Sequence, residues 1–196
     1  MKSVGALVVA ALVTVGFGCG TSPPPRFFTL ASEPASAAAA TTSVFTIAVG
    51  PVTVPELVDR PQFVLRSAPN AVEIAELARW AAPLKSEIPR VIADHLARLL
   101  DGARTWSSSQ RAAGLPDYRV LIDIQRFETT PGEGATLQAL WTVRARDGAP
   151  VSGRSVVNEP AGSGYDELVA AHSRALASAS RDIAAAIAGL RVPKSP

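Results

Sequence analysis

The chain has 196 residues, 47% of them hydrophobic and 18% charged. That suits one domain of ordinary size with a real core and excludes a disordered chain. Nineteen basic and 17 acidic residues leave a formal charge of +2, too small a surplus to mark a nucleic-acid-binding surface. The single cysteine excludes an intramolecular disulfide and a cysteine-based metal site, and the two histidines leave little for a metal cluster. No cofactor and no metal are therefore expected.

Residues 1–18 differ in character from the rest. Lys2 gives a positive start, and Val4 to Phe17 run without a charge. The run is shorter than the roughly 20 apolar residues of a membrane span and fits a secretory signal peptide. It ends at Gly16-Phe17-Gly18-Cys19-Gly20. A small residue just before a cysteine, at the end of an apolar run, resembles the lipobox of bacterial lipoproteins. Gly16 stands where that motif usually carries Leu. The resemblance implies that Cys19 is acylated and becomes the mature N-terminus. The alternative is an ordinary signal peptide with a chance cysteine. A free thiol is a liability in an oxidising envelope, which favours lipidation. Each buried acyl methylene contributes about 0.8 kcal/mol to membrane attachment. Gly20, rather than Asp, follows the cysteine, which in the lipoprotein sorting rule implies the periplasmic face of the outer membrane. Loss of Lys2 reduces the charge surplus to one, so the lipid would be the anchor.

Thr21 to Pro25 reads as a stiff polyproline-like stalk. Arg26 to Leu30 predicts a short first strand, and residues 31–43 an Ala/Ser/Thr loop. The domain proper is expected over 44–192, with 19–43 as lipidated N-terminus, first strand and linker. Val44 to Val54 predicts a strand ending near Gly50-Pro51. Gln62 to Ser67 and Ala71 to Leu77 predict two strands around the turn Ala68-Pro69-Asn70. Ser86 to Leu100 places Ile88, Val91, Ile92, His95, Leu96, Leu99 and Leu100 at helical spacing, with Ser86 as cap and Asp101-Gly102 as stop. Tyr118 to Phe127 and Ala135 to Ala145 alternate as strands joined by Pro131-Gly132-Glu133-Gly134. Val151 to Val157 predicts a further strand. Tyr165 to Leu190 predicts a long helix with Leu168, His172, Leu176, Ala179, Ile183, Ile187 and Leu190 on one stripe. The order implies a single α/β domain, a mixed and largely antiparallel sheet packed with helices as a three-layer α/β/α sandwich.

Catalytic constellations are missing: there is no GxGxxG, Walker loop, HExxH or GxSxG. His95 and His172 lie on apolar helix stripes and read as packed core histidines. Trp80, Trp106 and Trp141 fall in separate segments, as packing anchors do. The chain therefore reads as a non-enzyme.

The stretch 49–84 carries Val-Gly-Pro-Val, Pro55, Asp59-Arg60-Pro61-Gln62, Val64, Arg66, Asn70, Arg79-Trp80-Ala81 and Pro83-Leu84. It resembles the auxiliary lipoproteins of ABC-type lipid transport systems, the PqiC-like family. Tyr118-Arg119-Val120, Phe127, Leu137, Ala139 to Trp141 and Phe27-Phe28-Thr29-Leu30 extend the resemblance over nearly the whole mature chain. It implies a mixed sheet covered by helices and a partner: an MCE-domain protein that bridges the envelope, driven by an inner-membrane permease and ATPase. The lipoprotein would be the outer-membrane end of that path. Candidate partner-binding residues are Asp59, Arg60, Pro61, Gln62, Arg79 and Trp80. Asp59-Arg60 reads as a local ion pair or a carboxylate dock, and Arg79-Trp80 as an exposed anchor pair. Loop-fixing structure is the alternative for these residues. Should Trp80 be core, the hairpin around Gly132-Glu133-Gly134 is the next candidate surface. Two other functions stand beside the adaptor: a periplasmic carrier of lipid or another small molecule, and an activator of a cell-wall enzyme. A homo-oligomer is left open.

Overall fold

The structure, a computed structural model, describes residues 23–32, 45–108 and 115–191. The leader, Cys19, most of the expected linker and the chain's last residues lie outside the described residues. Eight strands form one mixed sheet: β1 (Arg26–Phe28), β2 (Phe45–Thr53), β3 (Gln62–Ala68), β4 (Ala71–Trp80), β5 (Ala103–Ser107), β6 (Tyr118–Thr130), β7 (Gly134–Ala145) and β8 (Val151–Pro160). Two helices accompany it, α1 (Leu84–Leu99) and α2 (Tyr165–Arg191).

β6 is the axis of the sheet. β7 runs antiparallel along one of its edges, from Tyr118 opposite Ala145 to Thr130 opposite Gly134. The other edge is shared: β2 lies parallel to the first half of β6, and β3 meets it at Leu65 opposite Thr129. The path β1-β4-β3-β6-β2-β5 runs across this edge, while β8 flanks β7. The hairpins β3–β4, β6–β7 and β7–β8 are antiparallel, and the remaining pairings are parallel.

Strand periodicity explains which face is buried. Val120, Ile122 and Ile124 of β6 face inward beside Val143, Trp141 and Ala139 of β7. A bulge follows Ile124, and the extra residue keeps Phe127 on the inner face opposite Leu137. Each fully buried aliphatic side chain of this kind stabilises the fold by about 1.5–3 kcal/mol.

Both helices cover the same face. α1 packs on β2 and β5, α2 on β7 and β8, and the helices touch each other. The expected single α/β domain with a mixed sheet is present, but its third layer is not: the described residues form two layers. The outer face carries Arg119, Asp123, Leu140, Arg144, Arg154 and Val156, all exposed. β5 is a strand where the sequence predicts none. α1 begins two residues before the expected cap: Pro83 holds the N-cap position without a side-chain bond, so Ser86 lies inside the first turn. Pro89 thus falls in the second turn, where it removes the donor that Lys85 O would otherwise receive. Leu99, expected on the buried stripe, is 45% exposed, and Leu84 extends that stripe at its other end.

Candidate functional site

The two motif segments converge at one end of the β4–β3 edge. The loop after β2 closes in a turn in which Val58 N–H and Asp59 N–H donate to Pro55 O at 3.0 and 3.2 Å. Val58 is drawn into the core, which leaves Asp59, Arg60 and Pro61 at the surface. Trp80 N–H then donates to Pro61 O at 2.7 Å, and Ala81 N–H to Phe28 O at 2.8 Å. β1 adds as a parallel edge strand, Phe27 beside Arg79 and Phe28 beside Trp80. Arg26 reaches across to Asp166 in the first turn of α2 at 2.8 Å. The result is a groove of about 350 Å³ lined by Asp59, Arg60, Pro61, Trp80, Ala81, Ala82, Pro83 and Leu84.

Trp80 is not an exposed anchor. It is 6% exposed and stacks on Phe63 with ring centroids 4.1 Å apart. Phe127 and His172 flank the same ring, and Phe28 and Tyr165 pack edge-on or tilted around Phe63. Trp80 is the floor of the groove and the roof of an aromatic core at once. The ion pair expected between Asp59 and Arg60 is also not formed. Asp59 Oδ2 accepts instead from Lys85 Nζ at 2.6 Å. Lys85 sits in the first turn of α1, where the helix dipole disfavours a cation, and the Asp59 carboxylate offsets both charges. The sequence reading missed Lys85, although it directly follows the motif pair Pro83-Leu84.

Arg79 is half-buried, with Nε donating to Glu76 O at 3.1 Å. Gln62, its neighbour on β3, is also half-buried. Arg60 is exposed and makes no ion pair among the described residues. The exposed aromatic of the region is Phe27, 62% accessible beside Arg79. The structure thus gathers Asp59, Arg60 and Pro61 around a groove floored by Trp80, and sets Gln62, Arg79 and Phe27 side by side on the adjoining strands.

The two histidines are interior. His172 is fully buried, stacked on Phe127 at 3.9 Å, with Nε2 2.7 Å from Thr129 Oγ1. Burial pushes its pKa down to about 3, so the ring is neutral at physiological pH. His95 is 5% exposed, with Nδ1 3.2 Å from Ser180 Oγ.

A mixed sheet with both helices on one face defines a structural class, to which this chain adds a groove at the sheet's edge. Two solved structures share the fold. One is the crystal structure of an uncharacterized protein, 18% identical, with a TM-score of 0.66 over 84% of this chain and 99% of that one. The other is a protein from Xanthomonas campestris assigned to the family DUF330, 16% identical, with a TM-score of 0.62 over 87% of this chain and 100% of that one. At these identities the likeness is one of fold. A comparison with curated proteins returns no match. Residues 28–184 match the family described as ABC-type transport auxiliary lipoprotein component, and the chain belongs to that family. It is accordingly a transport-associated lipoprotein of the cell envelope. Among the described residues no helix is long and apolar enough to cross a membrane.

Proposed function

We propose that the protein is a lipid-anchored adaptor that docks the MCE-domain protein of an ABC lipid transporter at the periplasmic face of the outer membrane. The anchor is an acyl group on Cys19, and the docking surface is the groove lined by Asp59, Arg60 and Pro61 together with the adjoining strand residues Phe27, Gln62 and Arg79. The observation that carries this reading is the convergence of the two family motifs on one groove. Its lining holds an exposed arginine that makes no ion pair among the described residues, a residue type that concentrates binding energy at interfaces, and the adjoining strand β1 presents the solvent-facing Phe27, an aromatic of the kind enriched at interfaces. The hairpin of β6 and β7 is the weaker candidate surface. Its tip is tied back, with Gly132 N–H donating to Gly162 O and Ala161 N–H to Glu133 O, each at 3.3 Å.

The test is capture of the MCE-domain protein by the purified chain. Arg60→Glu reverses one exposed charge and is expected to weaken capture at least about tenfold, since a hydrogen bond to a charged group is worth roughly 1.5–3 kcal/mol. Stability should change by less than about 0.5 kcal/mol, as for most surface substitutions. Glu133→Lys should leave capture intact. The opposite pattern would move the docking surface to the hairpin, and no capture by the unaltered chain would defeat the adaptor reading itself.

A further inference from the structure

The cleft where α1 and α2 cross carries chemistry that docking leaves unused. His95, Arg98 and Leu99 of α1 face Ala177 and Arg181 of α2 around a cavity of about 140 Å³. The helices are pinned at this point. Ser180 Oγ donates to Leu176 O at 2.7 Å and lies 3.2 Å from His95 Nδ1. With its single proton given to Leu176, the hydroxyl accepts from His95, so Nδ1 carries the hydrogen and the ring is fixed in the wall of the cavity.

Two arginines line this small space. Arg98 buries its Nη2 without a hydrogen-bond partner. A buried donor of that kind costs about 1–3 kcal/mol and calls for an explanation. Two carboxylates next to these arginines in sequence are engaged elsewhere: Asp94 accepts from Arg90 and Ser32, and Asp182 from Ser155. Among the described residues neither Arg98 nor Arg181 has an ion pair. Two cations on facing helices repel, the more so where water is partly excluded.

We propose that this cleft binds an oxyanion of the phosphate type. A planar carboxylate is satisfied by one guanidinium, whereas a tetrahedral phosphate accepts donors from two sides, as Arg98 and Arg181 are placed to give. Leu99, exposed at the mouth, offers an apolar edge to the organic part of a phosphate ester. A liquid water claims about 30 Å³, so the cavity takes a phosphate group and leaves any acyl chains outside. Free phosphate and the head group of an anionic phospholipid share this chemistry.

Calorimetric titration with sodium phosphate, against sodium chloride at equal ionic strength, tests the site. Saturable binding is expected, with a melting temperature that climbs with phosphate concentration. Arg98→Gln and Arg181→Gln should each weaken binding about 10–100-fold, the loss of one charged hydrogen-bonding group. Both variants should melt no lower than the parent without phosphate, because each removes one of the two like charges that line the cavity; that readout separates a lost site from a lost fold. The head-group arm uses the Cys19→Ser chain, which lacks the proposed acylation site, and phosphatidylcholine vesicles with and without phosphatidic acid. Sedimentation with the phosphatidic acid vesicles, reversed by phosphate and abolished by either arginine change, assigns a lipid head group. Phosphate binding without sedimentation assigns free phosphate. Absence of saturable phosphate binding, or binding unchanged in both variants, overturns the proposal.

Discussion

Adjacent residues of β4 have opposite fates. Arg79 lies at the outer face beside Phe27 and Gln62, and Trp80 enters the core on Phe63. Trp80→Ala should therefore remove a packed ring, at a cost of about 3–5 kcal/mol. For a domain of this size that lowers the melting temperature by roughly 10 °C. A calorimetric melt checks it, and a shift of only a degree or two would return Trp80 to the surface. Exposure is expected for Trp80 because it stands beside Arg79 in a motif of interface residue types, while the larger aliphatic residues of β4 are Val72, Ile74 and Leu77. These are the exposed ones, at 41%, 39% and 45%. The inward positions are Ala75, Ala78 and Trp80. Small residues there leave room for the rings of Phe63 and Tyr165, an arrangement that hydrophobicity alone does not reveal. Asp59 is a similar case. Arg60 is its neighbour in sequence, but the turn from Pro55 presents it to Lys85, and such a partner is set by the fold.

At the scale of elements, strong periodicity was legible and short or irregular pieces were not. Leu168, His172, Leu176, Ala179, Ile183 and Ile187 of α2 are all buried, as their spacing requires. The alternation of β6 and β7 gives their inner faces residue by residue. β5 has five residues and lies parallel to β2 just after a turn, too short for a period to be seen. The buried stripe of α2 also sets a pH dependence. His172 has its pKa lowered to about 3 in the folded state, against about 6.5 when unfolded. Between these values the unfolded chain binds one more proton than the folded one. Stability contributed by keeping the ring neutral is therefore complete above about pH 6.5 and is lost as pH falls toward 3, with a slope of about 1.4 kcal/mol per unit. His172→Gln keeps a hydrogen-bonding group near Thr129 and removes the titration. Urea unfolding at a series of pH values should show a shallower acid loss in the variant; identical slopes would mean that His172 is protonated in place.

For the whole molecule, the regular alternation of β6 and β7 already argued for a sheet with one wet face, since a sheet covered on both sides reads as continuous apolar strands. That signal outweighs the three-layer expectation, which rested on element order alone. The two-layer form leaves the outer face of the sheet exposed and sets the edge strand β1, the first described element, next to the groove. Cys19 precedes Arg26 by seven residues, a tether of at most about 25 Å at full extension. An acylated Cys19 would hold the groove within that reach of the membrane without contributing to the core. Cys19 precedes in sequence the residues 28–184 that match the family, and Cys19→Ser is expected to change stability by less than about 0.5 kcal/mol. It should lose palmitate labelling and leave the membrane fraction, because charge alone gives the mature chain no firm hold on lipid. Cell fractionation with metabolic labelling reads both outcomes. Equal labelling of the two proteins, or membrane retention of both with no label in either, would remove the acyl anchor from the account and leave the domain to reach its membrane through its partner.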